Sequence, residues 1–190
     1  MFNTKLARRA VIGTAVALLA SASAFAQSTI LVVDTAKVYN DSAVGQHITR
    51  QVKSMADTTS TQLQAQASPL ESTSKNLQAL TSGKTQSQIL QDASLKSQIE
   101  NFQRDSIKLQ QDMQVAQAEL QITEGKARKL VTAKMKTIID QIARERNADV
   151  VLEKQLVIYG EPADITATVL ARLNSQMTTV PVTRERLPRG

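Results

Sequence analysis

The chain has 190 residues, with 23 Lys and Arg against 17 Asp and Glu, one His, no Cys and no Trp. Without cysteine there are no disulfide staples, and three Phe with two Tyr are too few large rings for a dense globular core. Much of the basicity is local: the first 26 residues hold three of the basic groups and no acidic one, and residues 27–177 hold 17 basic against 16 acidic, a balance that argues against a nucleic-acid or anionic-lipid binder.

Lys5, Arg8 and Arg9 precede an apolar, small-residue run over residues 10–22, and Ala24-Phe25-Ala26 follows with small residues where a signal peptidase reads. This predicts a signal peptide over residues 1–26, cleaved between Ala26 and Gln27, and an exported chain. The run of about 13 apolar residues is too short to cross a bilayer, which takes about 20. Nothing later is apolar for long enough, so stable membrane insertion is not expected.

After the leader, Ile30, Leu31, Val32 and Val33 form a β-branched run closed by Asp34, the pattern of a short strand buried on both faces. A helical turn is expected over residues 35–39. Asn40, Asp41 and Ser42 then offer three N-cap candidates for a long helix. Its apolar stripe runs through Val44, Ile48, Val52, Met55, Leu63, Leu70, Leu77 and Leu80. Pro69 lies in the stripe and predicts a kink or break, because proline lacks an amide and crowds the preceding turn.

The stripe fades at residues 81–85, the expected reversal, with the arm tip near 81–94. A second stripe follows through Leu95, Ile99, Phe102, Ser106, Leu109, Met113, Ala116, Leu120, Thr123, Ala127 and Leu130. It then shifts by one residue to Val131, Met135, Ile138 and Ile142, as when a helix leaves a two-stranded seam for a body with other packing angles. Asn147 is the expected terminator.

Two long helices with one stripe each can bury them by folding into an antiparallel hairpin over residues 44–142. A parallel coiled-coil dimer would also bury them, but the hairpin brings the chain back to its first strand. Thr59, Ala67, Ser74, Ser106, Ala116, Thr123 and Ala127 sit at or beside seam positions where Leu would pack better. The arm should therefore bend or fray easily.

Strands are expected near residues 150–153 and 156–159, then a helix capped by Asp164 with Ile165, Val169, Leu170 and Leu173 on one face. Residues 27–43 and 143–177 would thus form one small β body with a covering helix, and the tail at 178–190, rich in Pro, Arg and Thr, reads as disordered. A sheet this apolar needs cover on both faces, and exposing five such side chains forfeits about 1.5 to 3 kcal/mol each. Assembly of several chains through Ile30, Val32, Val150, Val151, Leu152, Val157 and Ile158 is the expected remedy.

Few residues suggest chemistry. Ser82-Gly83-Lys84-Thr85 ends like a phosphate-binding loop, but position 78, where the first glycine should stand, is Gln78 and follows helix instead of strand. His47 is the sole histidine and reads as a solvent-facing helix residue. No acid, base and nucleophile can be grouped, so neither an enzyme nor a cofactor is expected.

The ILVVD strand after the leader, Val38-Tyr39-Asn40, Gly45, the coiled-coil middle, ADVVLEKQLVIYG and the spacing DIT-xx-VL-xx-LN together resemble the Skp-type (OmpH-like) periplasmic chaperones over residues 28–174. The resemblance implies a mainly α fold with a small β body, assembled as a jellyfish-shaped homotrimer whose helical arms enclose a cavity. It also implies a periplasmic protein that holds unfolded outer-membrane proteins without ATP. Client contact is then expected on the inner arm surface around Leu63, Leu70, Leu77, Ile99, Phe102 and Met113. The tip carries only Lys75, Lys84 and Lys96, without a dense basic cluster. A structural coiled-coil adaptor of the envelope, binding one folded partner, is the competing reading.

Overall fold

A computed structural model of the chain describes residues 28–188. The leader and its cleavage point at Ala26 and Gln27 lie outside the described residues. The body opens with strand β1 (Ile30–Val33) and helix α1 (Thr35–Asp41), and α2 (Ala43–Thr81) leads out along the arm. A short α3 (Gln86–Gln91) lies at the far end, and α4 (Ala93–Glu145) returns to the body. There β2 (Val150–Glu153), a single 3-10 turn (Lys154–Leu156), β3 (Ala163–Asp164) and α5 (Thr166–Gln176) complete it. The 53 residues of α4 span about 80 Å at 1.5 Å per residue.

Each junction has a local cause. Asp34 accepts from the Lys37 amide to start α1, and Ser42, one of the three candidate caps, accepts from the Gly45 amide to start α2. Gly45 is required there: a Cβ added to it would lie 1.9 Å from the Tyr39 carbonyl oxygen. At the far end Gly83 takes φ +78, Thr85 and Gln88 form a capping box for α3, and Asp92 caps α4. Asn147, at φ 49, ends α4 in the left-handed conformation that asparagine tolerates. α2 is continuous through Pro69, so of the expected kink or break the break does not occur.

The sheet has the order β2-β1-β3 with both pairings parallel, Ile30 opposite Val150 and Val32 opposite both Leu152 and Asp164. Leu31 and Val33 turn inward onto a core of Val38, Val44, Ile48, Val131, Met135, Ile138, Ile142, Ile165, Val169 and Leu173. The stripe of α4 enters this core at Ala127 and continues through Val131, while Leu130 stays 49% exposed. The register shift read in the sequence therefore falls where the arm meets the body.

The strand expected over residues 156–159 is absent. β2 and β3 lie on opposite edges of β1 and run parallel to it, so the chain between them must travel back across the sheet and cannot pair beside β2 as a hairpin. Leu156 falls in the 3-10 turn, Val157 and Ile158 follow in irregular backbone, and Gly160 at φ +107 with Pro162 leads into β3. Asp164 is itself in β3, yet one of its carboxylate oxygens still accepts from the first amide of α5, that of Thr166, at 2.8 Å.

Candidate functional site

Three surfaces stand out on this frame. The first is the outer side of the sheet. Alternation along parallel strands places Ile30 and Val150 there, each 40% exposed, together with the half-buried Leu152. The return segment adds Leu156, Ile158 and Tyr159, which are 69%, 100% and 98% exposed. Ile30, Leu152, Leu156, Val157, Ile158 and Tyr159 border an open concavity of about 740 Å³. Two of the expected assembly residues sit elsewhere. Val151 faces inward against the core, because β alternation sends it to the side of Leu31 and Val33. Val32 points outward but is only 3% exposed, so it is already covered within its own chain.

The second surface is the middle of the arm. In α2 no residue between Thr59 and Leu77 is buried, and in α4 none between Leu95 and Ala116. Leu63, Leu70, Ile99 and Phe102 are half-buried there, Met113 is 53% exposed, and Leu77 alone of the expected contact residues is buried, near the tip. On one side of the seam Ala56, Ser60, Leu63 and Ala67 of α2 face Leu109, Met113 and Leu120 of α4 across an apolar groove of about 540 Å³. The cause is the choice of small residues in the seam, which leaves the helices without interlocking side chains. Lys75, Lys84 and Lys96 near the tip pair with Glu71, Asp92 and Glu100 at 2.7, 3.8 and 3.9 Å. Such exposed pairs contribute little stability but leave no dense positive patch.

The third surface was not legible as a site. The tail expected to be disordered from 178 is placed along the helices: Val180 joins the core, and its carbonyl lies 3.2 Å from Nε2 of His47, which is half-buried and does not simply face solvent as expected. Further on, Arg184 enters the seam. Its Nε donates to Glu119 Oε2 at 2.9 Å and a terminal nitrogen donates to Thr59 Oγ1 at 2.6 Å. The Leu187 amide donates to Glu119 Oε1 at 3.1 Å, and Arg186 lies 3.5 Å from the same carboxylate. Burial pushes the Glu119 carboxyl up, but the Leu187 amide and the two guanidinium groups outweigh it and hold it below its ordinary value. The available signal was a row of small or polar seam residues, Thr59, Ala116, Glu119 and Thr123, facing an Arg-Xaa-Arg tail.

Among the described residues no group of three His, Asp or Glu could hold a metal ion, and no helix is long and apolar enough to cross a membrane. Ser82 to Thr85 form the reversal and the cap of α3.

The family model for outer membrane protein (OmpH-like) matches residues 29–173, which is most of the chain. A solved structure from Caulobacter crescentus CB15, described as OmpH-like, is similar at 25% identity and a TM-score of 0.70, covering 84% of this chain and 92% of that one. No curated protein matches the sequence. The fold and a family match over residues 29–173 agree: the chain belongs to the OmpH-like family.

Proposed function

We propose that this protein is an ATP-independent holdase of the periplasm that binds unfolded outer-membrane proteins and keeps them from aggregating. The observation that carries the reading is the under-packed middle of the arm, where Leu63, Leu70, Ile99 and Phe102 are half-buried, Met113 is exposed, and an apolar groove opens beside Leu63 and Met113. Apolar area left open in this way marks a contact surface. Several weak contacts acting together can retain an unfolded chain through effective concentration, with no need for a nucleotide. A pliable arm also suits clients of different sizes.

Several arms acting together would hold a client more firmly than one. The exposed Ile30, Val150, Leu156, Ile158 and Tyr159 support assembly through the outer side of the sheet, and the family resemblance supports a homotrimer with the arms around a shared cavity. The leader predicted over residues 1–26 supports export.

The test is light scattering while a denatured outer-membrane barrel protein is diluted into buffer containing the chain from Gln27 onward. Suppressed aggregation at a few-fold excess is expected. Aggregation that proceeds unaltered would refute the holdase reading and leave the structural adaptor as the better one.

A further inference from the structure

The tail lies beyond the stretch matched by the family model, yet it is tied down along its length. Val180 is 7% exposed within the core. Arg184 bridges Thr59 of α2 and Glu119 of α4, the Glu185 amide donates to Thr123 Oγ1 at 2.9 Å, and the Glu185 carboxylate meets Lys126 at 2.7 Å. Glu119 itself is 0% exposed. An ionised carboxylate inside a helix seam is costly unless it is fully hydrogen-bonded, and both of its oxygens are bonded by the tail.

The seat is selective in form. One carboxylate oxygen takes a guanidinium, the other takes the main-chain amide three residues on, and Thr123 takes the amide between them, so the site reads an extended segment with an arginine at its start. Thr59, Ala116 and Thr123 are short enough to leave room for that arginine. The tail occupies one side of the seam, bordered by Gln62, Gln66 and Asp112, and the apolar groove opens on the other, bordered by Ser60, Gln64 and Met113. Just beyond this level the buried seam residues stop and do not resume until Leu77 and Leu95.

We propose that residues 178–188 are a strap, seated in a built site for an extended arginine-bearing segment, which clamps α2 to α4 at the base of the arm. Bending is thereby confined to the arm beyond Thr59 and Ala116. The strap acts on the arm alone, whatever the arm binds.

Hydrogen exchange of the full-length chain, read by mass spectrometry without any client, tests this. Arg184→Ala removes the bridge between Thr59 and Glu119 but leaves the carboxylate in the seam with the Leu187 amide and Arg186 beside it, whereas Glu119→Leu removes the acceptor itself and leaves no buried charge. In both variants amides in residues 56–63 and 116–127 should exchange about tenfold faster, as loss of a charge-assisted hydrogen bond implies. Amides of β1, which report the body, should stay at the wild-type rate. If Glu119→Leu leaves residues 56–63 protected as in the wild type, the tail merely neutralises a charge and the clamp is refuted. Faster exchange confined to the tail in both variants would refute it equally.

Discussion

Ile30 and Val150 stand side by side on neighbouring parallel strands, each 40% exposed on the outer side of the sheet, with the entire arm between them in sequence. Their neighbours one step along, Leu31 and Val151, point the opposite way into the core. The same two strands thus offer separate tests of the proposed assembly and of folding. Val150→Asp places a charge on the open side, and is expected to dissociate the assembly while leaving the monomer helical. Leu31→Asp buries an unpaired charge at a 1% exposed site and should unfold the body, since that cost is several kcal/mol. Sedimentation together with circular dichroism separates the two outcomes. An intact assembly for Val150→Asp would show that the outer side of the sheet is not where the chains meet.

Gly45→Ala tests the α1 to α2 junction. The new methyl carbon would stand 1.9 Å from a backbone oxygen, that of Tyr39, which no rotamer change can relieve. Relief requires α1 to shift, although Ser42 holds both ends of the turn by donating to the Tyr39 carbonyl at 2.9 Å and accepting from the Gly45 amide at 3.0 Å. Overpacking of this kind costs about 1 to 3 kcal/mol. A urea midpoint within error of the wild type would mean that the junction is softer than its hydrogen bonds indicate.

Asp164 gives a pH dependence of defined sign. The Lys154 ammonium at 2.7 Å, then the Thr166 hydroxyl and amide, hold its carboxyl down at about 2, below the usual 3.8. A carboxylate with a depressed folded value stabilises the fold above the unfolded value, and that contribution is lost as pH falls from about 4 through 2. The side chain is 37% exposed, so the stabilisation is discounted for solvent screening to about 1 kcal/mol. Asp164→Asn keeps an acceptor for the Thr166 amide but removes the charge. Its urea stability should fall by about 1 kcal/mol less than that of the wild type between pH 6 and pH 2. Equal losses in the two proteins would remove Asp164 from the acid response.

What could be read from the sequence follows from periodicity. The seven-residue stripes, the shift at Val131, the Ser42 cap and the strands at Ile30 and Val150 each repeat or punctuate a local pattern, so local rules find them. The run around Val157 and Ile158 is as apolar as a strand, but whether it pairs is decided by topology: with β1 between β2 and β3, those residues belong to the return path. β3 is two residues long and owes its existence to β1, so nothing local announces it. The tail has no period at all, and its order comes from partners far away in sequence, among them a buried acid 65 residues from Arg184, Thr59, Thr123 and the core around Val180. Seam positions too small or too polar for a coiled coil read as weakness, whereas at Thr59, Ala116 and Thr123 they make room for a third segment. In the middle of the arm, where no such segment lies, they remain weakness.

That difference locates the client prediction. Met113 is 53% exposed beside Leu63, Ala67 and Leu109, whereas Leu90 on α3 is 60% exposed but away from this groove. Neither side chain is needed to hold the seam closed, so Met113→Asp and Leu90→Asp should both leave helicity and assembly unchanged. A charge at Met113 would have to be desolvated by any apolar client segment laid in the groove, and the penalty recurs in every arm that the client touches. Client affinity, measured by fluorescence of a labelled unfolded barrel protein, should drop about tenfold for Met113→Asp and stay within about twofold for Leu90→Asp, because contacts made at several arms multiply. Equal losses for the two variants would mean that exposed apolar residues anywhere on the arm serve, and that the groove between α2 and α4 is not the contact. Loss of assembly in either would instead place these residues at a chain-to-chain contact.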